Sequence, residues 1–319
     1  MTLQTHYDAL MRQLEAYRKS DPLLYLHGLL LARDVTDPEL RFVRAETLQA
    51  LALKAQGAMR LCDFQTEIVL RPEGVFVNVG GLLLESSRSS MYFKAAGPAV
   101  AGEPISAMLH RAKIDVATAV DVGANFGEVS LALARDYPNA RILAVEPSSG
   151  NLKIFEINKS VQRFSTRNIE IVRLAITDNA GVVALSKGPG TMNRVVTGAR
   201  KADVENVPAE RLDTLFDHHG IKTADFVKID IEGSEPKLRD ALVALNDRVR
   251  AYYIEFSQFA PFDDYVALAG ALLALRFACY DSAMSAKLAT TDDIAAHLRA
   301  AFAPSNIAVT NLWFIAVPT

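Results

Sequence analysis

The chain reads as an α/β protein: an open sheet with helices on both faces, preceded by a helical N-terminal region and a β-hairpin. Three observations predict it. From Ala117 onward, strand-like and helix-like segments alternate across short connections, the pattern of a sheet covered on both sides. The first of these strands runs straight into a glycine turn, Gly123-Ala124-Asn125-Phe126-Gly127, that opens a helix. The second ends in an acid, Glu146, at the strand end beyond which ligands of such sheets lie.

Taken in order, residues 1–62 carry apolar positions at helical spacing, Leu10, Leu14 and Tyr17, then Leu40, Val43, Leu48 and Leu51. Asp21-Pro22 and Asp37-Pro38 punctuate them, so three short helices are expected, serving as a cap or as the contact surface of a homo-oligomer. Residues 63–115 read as a hairpin and loop lid. Ile68 to Leu70 and Val75 to Val79 flank the turn Arg71-Pro72-Glu73-Gly74, and Ser86 to Ser90 and Gly97-Pro98 follow as loop. Residues 116–319 form the ligand-binding domain. Its strands are expected at 117–122, 141–145, 169–174, 225–231, 250–256 and 311–317, and its helices at 128–137, 149–161, 209–219, 236–245 and 265–275.

Composition narrows the function classes. With Lys+Arg 34 against Asp+Glu 37, the net charge of -3 gives no electrostatic reason to expect a nucleic-acid partner. Cys62 and Cys279 lack metal-ligand spacing and cannot make a disulfide framework for 319 residues. The most apolar stretches, around Leu23 to Ala32 and Val266 to Leu275, are about half the roughly twenty residues of a membrane span. Tyr7, Asp8 and Arg12 interrupt any secretory core, so a cytoplasmic location is expected.

The glycine turn specifies its ligand further. Gly123 and Gly127 are spaced GxxxG, and Asn125 stands where a dinucleotide loop has its middle glycine. Asp121, just ahead of the turn, would repel a diphosphate but accept a hydrogen bond from an ammonium group. That favours a cationic nucleoside such as S-adenosylmethionine. Glu146 can accept both hydroxyls of a ribose, which suits either that cofactor or NAD. In Asp225-Phe226-Val227-Lys228-Ile229-Asp230-Ile231-Glu232-Gly233, alternation puts Lys228, Asp230 and Glu232 on one side of an apolar strand. Buried charges must pair or serve a site, and an internal Lys228–Asp230 ion pair is the structural alternative. Ser234 is the expected N-cap of the helix that follows.

Together, DVGANFGEVSLALA, VEPSSGNLKIFEIN, ADFVKIDIEGSE and YYIEF, with its Glu255, resemble the FkbM family of S-adenosylmethionine-dependent methyltransferases over roughly Val116 to Phe256. The resemblance implies a class I methyltransferase, Rossmann-like fold, with a seven-stranded sheet whose last strand is antiparallel. It implies O-methylation of sugars, polysaccharides or natural products. Asp121, Gly123, Asn125 and Gly127 would hold the methionine end of the cofactor and Glu146 the ribose, with Ala124, Pro147, Ala175 and Asp230 completing the cofactor set. Asn158 also falls on a family position, with capping inside the helix layer as its alternative role.

Methyl transfer from a sulfonium is an in-line displacement, so a hydroxyl acceptor must be aligned and lose its proton. Asp230 or Glu232 is the candidate base or orienting group, and Lys228 the third catalytic candidate. A metal is not expected, although Asp230 and Glu232 offer oxygen ligands suited to magnesium. His218 and His219 close a helix before Gly220, where the helix dipole explains them. Lys187, Arg194, Arg200 and Lys201 make a cationic loop that would suit an acidic acceptor. The phenylalanines of 256–265 read as core packing before ring stacking. An NAD-linked oxidoreductase, a non-catalytic cofactor-binding partner protein and an N-methyltransferase are the competing readings.

Overall fold

The computed structural model describes residues 67–71, 74–79, 81–85, 105–186, 195, 204–302 and 309–317. The expected N-terminal helices and the cationic-loop residues Lys187, Arg194, Arg200 and Lys201 lie outside these described residues, which fall into two compact units. In the first, β1 (Glu67–Arg71), β2 (Gly74–Val79) and β3 (Leu82–Glu85) form an antiparallel meander in that order. The predicted turn joins β1 to β2, with Arg71 opposite Gly74. The hairpin has a third strand that the sequence did not disclose. Its Leu-Leu-Leu-Glu run is buried throughout and so lacks the alternation that marks a half-exposed strand.

The second unit begins with α1 (Ile105–Arg111), then runs β4 (Thr118–Val122), α2 (Glu128–Asp136), β5 (Arg141–Val145), α3 (Ser149–Val161) and β6 (Ile169–Val172). After β7 (Ala175–Ile176), β8 (Gly181–Ser186) and β9 (Val204–Glu210) come α4 (Leu212–His218) and β10 (Phe226–Ile229). A 3-10 turn at Glu235–Leu238 leads into α5 (Arg239–Ala244). The unit closes with β11 (Ala251–Ser257), α6 (Phe262–Leu273), β12 (Phe277–Tyr280), β13 (Lys287–Leu288), α7 (Thr291–Ala301) and β14 (Val309–Ala316).

The main sheet has the order β13-β12-β14-β11-β10-β4-β5-β6. Strands β6, β5, β4, β10 and β11 are parallel, while β14 runs antiparallel to both β11 and β12, as expected of the last strand. The expected seven strands are joined by an eighth, the two-residue β13 on the edge. Helices cover both faces, so β10 is buried at all four positions, and β4 and β5 at four of five. Trp313, Tyr252, Phe226, Phe256 and Phe314 are fully buried at the centre. The chain order reverses between β4 and β10, and a crevice beyond the carboxyl ends of the strands at such a switch point is where α/β sheets bind ligands.

Local expectations change in several places. A separate sheet, β7-β9-β8, follows β6, and its β9 takes Ala209 and Glu210 from the start of the helix expected at 209–219. The helix expected at 265–275 begins at Phe262 and ends at Leu273. Ser234 makes no side-chain capping bond; the Glu235 carboxylate instead accepts from the backbone N–H groups of Ile231 and Gly233, at 2.8 and 3.3 Å. Among the described residues, no helix is long and apolar enough to cross a membrane.

Candidate active site

At the end of β4 the chain turns through Gly123 to Gly127 into α2. Gly123 sits at φ +76°, and a Cβ there would lie 1.7 Å from the Asp230 carbonyl oxygen. Only glycine lets the exits of β4 and β10 come this close. The backbone N–H groups of Gly123 and Ala124 both donate to the Val145 carbonyl, at 2.9 and 3.0 Å, which ties the turn to β5. Gly127, at φ +85°, serves packing: a Cβ there would lie 2.0 Å from the Phe155 ring of α3. Asn158 holds the same turn from α3, donating Nδ2 to the Phe126 carbonyl at 2.9 Å. It is fully buried, so its capping role accounts for it.

Glu146 follows β5 and is 4% exposed. Its Oε2 accepts from the Asn125 N–H at 2.9 Å, and its Oε1 from the Ser148 N–H at 2.9 Å and from Asn151 Nδ2 at 3.2 Å. Burial nevertheless pushes its carboxyl up to about 7, against these donors. Oε2, with one donor, keeps a lone pair for a ligand hydroxyl, whereas Oε1 already accepts two. Asn125, in the left-handed region at φ +52°, has its side-chain Oδ1 buried without a hydrogen-bond partner.

These groups border a cavity of about 580 Å³, open mouth included. Gly123, Asn125, Glu146 and Pro147 line it from β4 and β5, and Ala175, Ile176, Leu185 and Val195 from the segment of the smaller sheet. Asp230, Ile231, Glu232 and Ser234 close it beyond β10.

Beneath the β10 side lies an ionic cluster. Lys228 Nζ donates to the Gly123 carbonyl at 2.9 Å and pairs with Asp230 at 3.1 Å and Asp121 at 3.7 Å. Burial disfavours the ammonium, but Asp230 and then Asp121 outweigh it and hold its pKa above the usual lysine value. Lys228 therefore stays a cation at neutral pH. Asp121 is fully buried and accepts a 2.6 Å hydrogen bond from Ser130; burial raises its pKa despite Lys228 and Ser130. Glu255 stands beside Asp230, because β10 and β11 pair Ile229 with Ile254. Burial, reinforced by Asp230, Glu232 and Glu235, pushes the Glu255 carboxyl up to about 10, and its Oε2 has no hydrogen-bond partner. Asp230, Glu235 and Glu255 each bring one oxygen within 4.8 Å of the others.

The structure thus brings Gly123, Asn125, Glu146, Pro147, Ala175, Asp230 and Glu232 to one crevice. Asp121, Ala124, Gly127 and Lys228 lie behind its wall, and the ammonium beside Asp121 belongs to Lys228. The strand ends at Ile229, and Glu232 reaches the cavity through a left-handed turn at φ +56° instead of strand alternation. His218 and His219 pair with Glu210 and Glu170, away from the cavity lining. Phe256 and Phe262 pack on Tyr265 and Phe302, as core residues. Asn151, Ile176, Leu185 and Val195 were missed; Asn151 alone carried a signal, as part of the VEPSSGNLKIFEIN run.

Residues 121–300, more than half of the chain, match the Methyltransferase FkbM domain, and the chain belongs to that family of methyltransferase domains. It is 27% identical over 150 residues to methyltransferase sdnD of Sordaria araneosa, covering 36% of this chain and 56% of that protein. The chain thus spans about half the length of this curated relative. Among solved structures it is similar to a precorrin-6y C5,15-methyltransferase from Geobacter metallireducens GS-15 (13% identity, 63% and 80% of the two chains, TM-score 0.36). It is also similar to the METTL16 MTase domain (11% identity, 80% and 75%, TM-score 0.39). At TM-scores below 0.5 these likenesses decide nothing about chemistry.

Proposed function

We propose that this chain is an S-adenosylmethionine-dependent methyltransferase that methylates a hydroxyl group on a sugar, polysaccharide or natural-product acceptor. One observation carries the reading: the glycine turn, Glu146 and the Asp230–Glu232 segment share one crevice at the switch point between β4 and β10. The cofactor fits the residues present. Glu146 offers the open lone pair of Oε2 on a carboxyl already oriented by N–H donors, the unpartnered Asn125 Oδ1 awaits a donor, and Val122, Leu174, Ile176 and Leu185 supply an apolar wall for a purine.

When bound, S-adenosylmethionine supplies a methyl group activated on a sulfonium. The chain's own part is to hold the acceptor hydroxyl in line and receive its proton. Asp230 and Glu232 line the cavity and take that role; Lys228, charged and hydrogen-bonded, cannot accept a proton. Glu255, holding its own proton at neutral pH, leaves the proton-accepting role to these two.

Calorimetric titration of the full chain with S-adenosylhomocysteine, against NAD, tests the cofactor. Saturable binding of the homocysteine nucleoside alone is expected, and binding of NAD alone overturns the reading. Labelled methyl transfer from S-adenosylmethionine to hydroxylated sugars rather than to amines then tests the acceptor; incorporation confined to amines overturns the O-methyl assignment.

A further inference from the structure

We propose that Lys228 is a positioning residue that couples the two halves of the crevice, fixing the cofactor turn and the proton-accepting carboxylate to one another through a single ammonium group. The inference rests on the cofactor reading above.

The geometry is specific. Lys228 Nζ donates to the Gly123 carbonyl on the β4 turn and pairs with Asp230 on the exit of β10, at 2.9 and 3.1 Å. The Gly123 backbone is in turn packed against the Asp230 backbone so tightly that a Cβ has no room. Two loops that each line the cavity are therefore joined twice, once by backbone contact and once by a buried cation. A neutral side chain could pack there, yet the cation has three oxygen partners, and the third, Asp121, is fully buried. The groups facing Lys228 are Asp121 from β4, Glu146 after β5, Asp230 after β10, and Tyr253 and Glu255 from β11. Most are carboxyls, so one ammonium decides how the cluster's charge is arranged. Charge-assisted bonds to backbone and carboxylate together are strong enough to fix a loop. Any displacement of Asp230 is then transmitted to Gly123, and so to the bound cofactor.

The test is a double-mutant cycle read by S-adenosylhomocysteine calorimetry, with melting curves confirming that each variant is folded. Lys228→Met should weaken binding about tenfold or more. Lys228→Arg, which keeps the cation, should stay within about threefold of the parent. Asp230→Asn should weaken binding only about threefold, and the double variant should bind no worse than Lys228→Met alone, because Asp230 acts on the turn through Lys228. If Lys228→Met fails to fold, Asp121→Asn with Lys228→Met removes the stranded buried charge and takes its place in the cycle. Folded Lys228→Met that binds like the parent overturns the coupling, as do losses that simply add. A parent chain that binds no S-adenosylhomocysteine overturns the cofactor reading instead, and this inference with it.

Discussion

On the β4–β5 side of the crevice the buried carboxylate, Glu146, is met by N–H donors from Asn125, Ser148 and Asn151. On the β10–β11 side, Asp230, Glu235 and Glu255 stand within 4.8 Å of one another, with Lys228 as the cation at Asp230. The first arrangement has donors on both carboxyl oxygens, as suits the proposed cofactor-binding half. The second crowds carboxyls, raises proton affinity at Glu255 through burial and then its acidic neighbours, and places Glu232 in a left-handed turn. This carboxyl cluster is where the proposed function puts the proton acceptor.

The largest expected effect comes from the seam between the halves. Gly123→Ala drives a Cβ into the Asp230 carbonyl, and backbone cannot swing aside, so stability should fall by about 3 kcal/mol or more, read by denaturant unfolding. Gly127→Ala sharpens the contrast, since its obstacle is the Phe155 ring. Combining it with Phe155→Leu should cost less than the sum of the two single losses. Equal losses for Gly123→Ala and Gly127→Ala, with no relief from Phe155→Leu, would place the two glycines in the same role.

Next in size, Asp230→Asn should lower turnover by about two orders of magnitude while S-adenosylhomocysteine affinity changes about threefold. Normal turnover would move the proton acceptor to Glu232.

Glu146 gives a prediction in which function and stability oppose each other. Its folded pKa of about 7 lies above the ordinary carboxylate value because burial disfavours the charge. The stability it contributes is therefore full below about pH 4.5 and lost as pH rises toward 7. Over that window Glu146→Gln should gain on the parent by up to about 3 kcal/mol, read by unfolding at several pH values. Ligand binding should run the other way. The parent's affinity for S-adenosylhomocysteine should rise as the carboxylate ionises, whereas Glu146→Gln should bind about tenfold more weakly at pH 8 and show a flat profile. A parent profile flat from pH 5 to 8 would remove Glu146 from the ribose position.

Much of this comparison was legible beforehand because its parts are local. The strand at Arg141–Val145 and the helix at Ser149–Val161 match the expected bounds, since an apolar run and a helical period each declare themselves within a few residues. The sheet β7-β9-β8 did not declare itself. Ala175–Ile176 is a strand only through its pairing with Ala209 and Glu210, and Val204–Glu210 carries Pro208, which argues against a strand until its partner is known. The carboxylate crowding was equally hidden. Asp230 and Glu255 are 25 positions apart, and only the pairing of β10 with β11 makes them neighbours. Glu235 opens the 3-10 turn at Glu235–Leu238, but its carboxylate also closes the turn before it and accepts from Tyr265 at 2.8 Å, contacts that the sequence does not disclose.

The smallest effect serves to calibrate the others. Thr290 caps α7 by accepting from the Asp293 N–H at 3.1 Å, while the Asp293 carboxylate accepts from the Thr290 N–H at 2.9 Å. Neither residue lines the cavity. Thr290→Ala should cost about 1 kcal/mol of stability and leave S-adenosylhomocysteine affinity at the parent value. If affinity also fell, global loosening alone would perturb the crevice, and the losses at Lys228 and Asp230 would have to be read against that background. An unchanged affinity instead makes a binding loss at either residue a property of the crevice itself, because a comparable loss of stability elsewhere does not reproduce it.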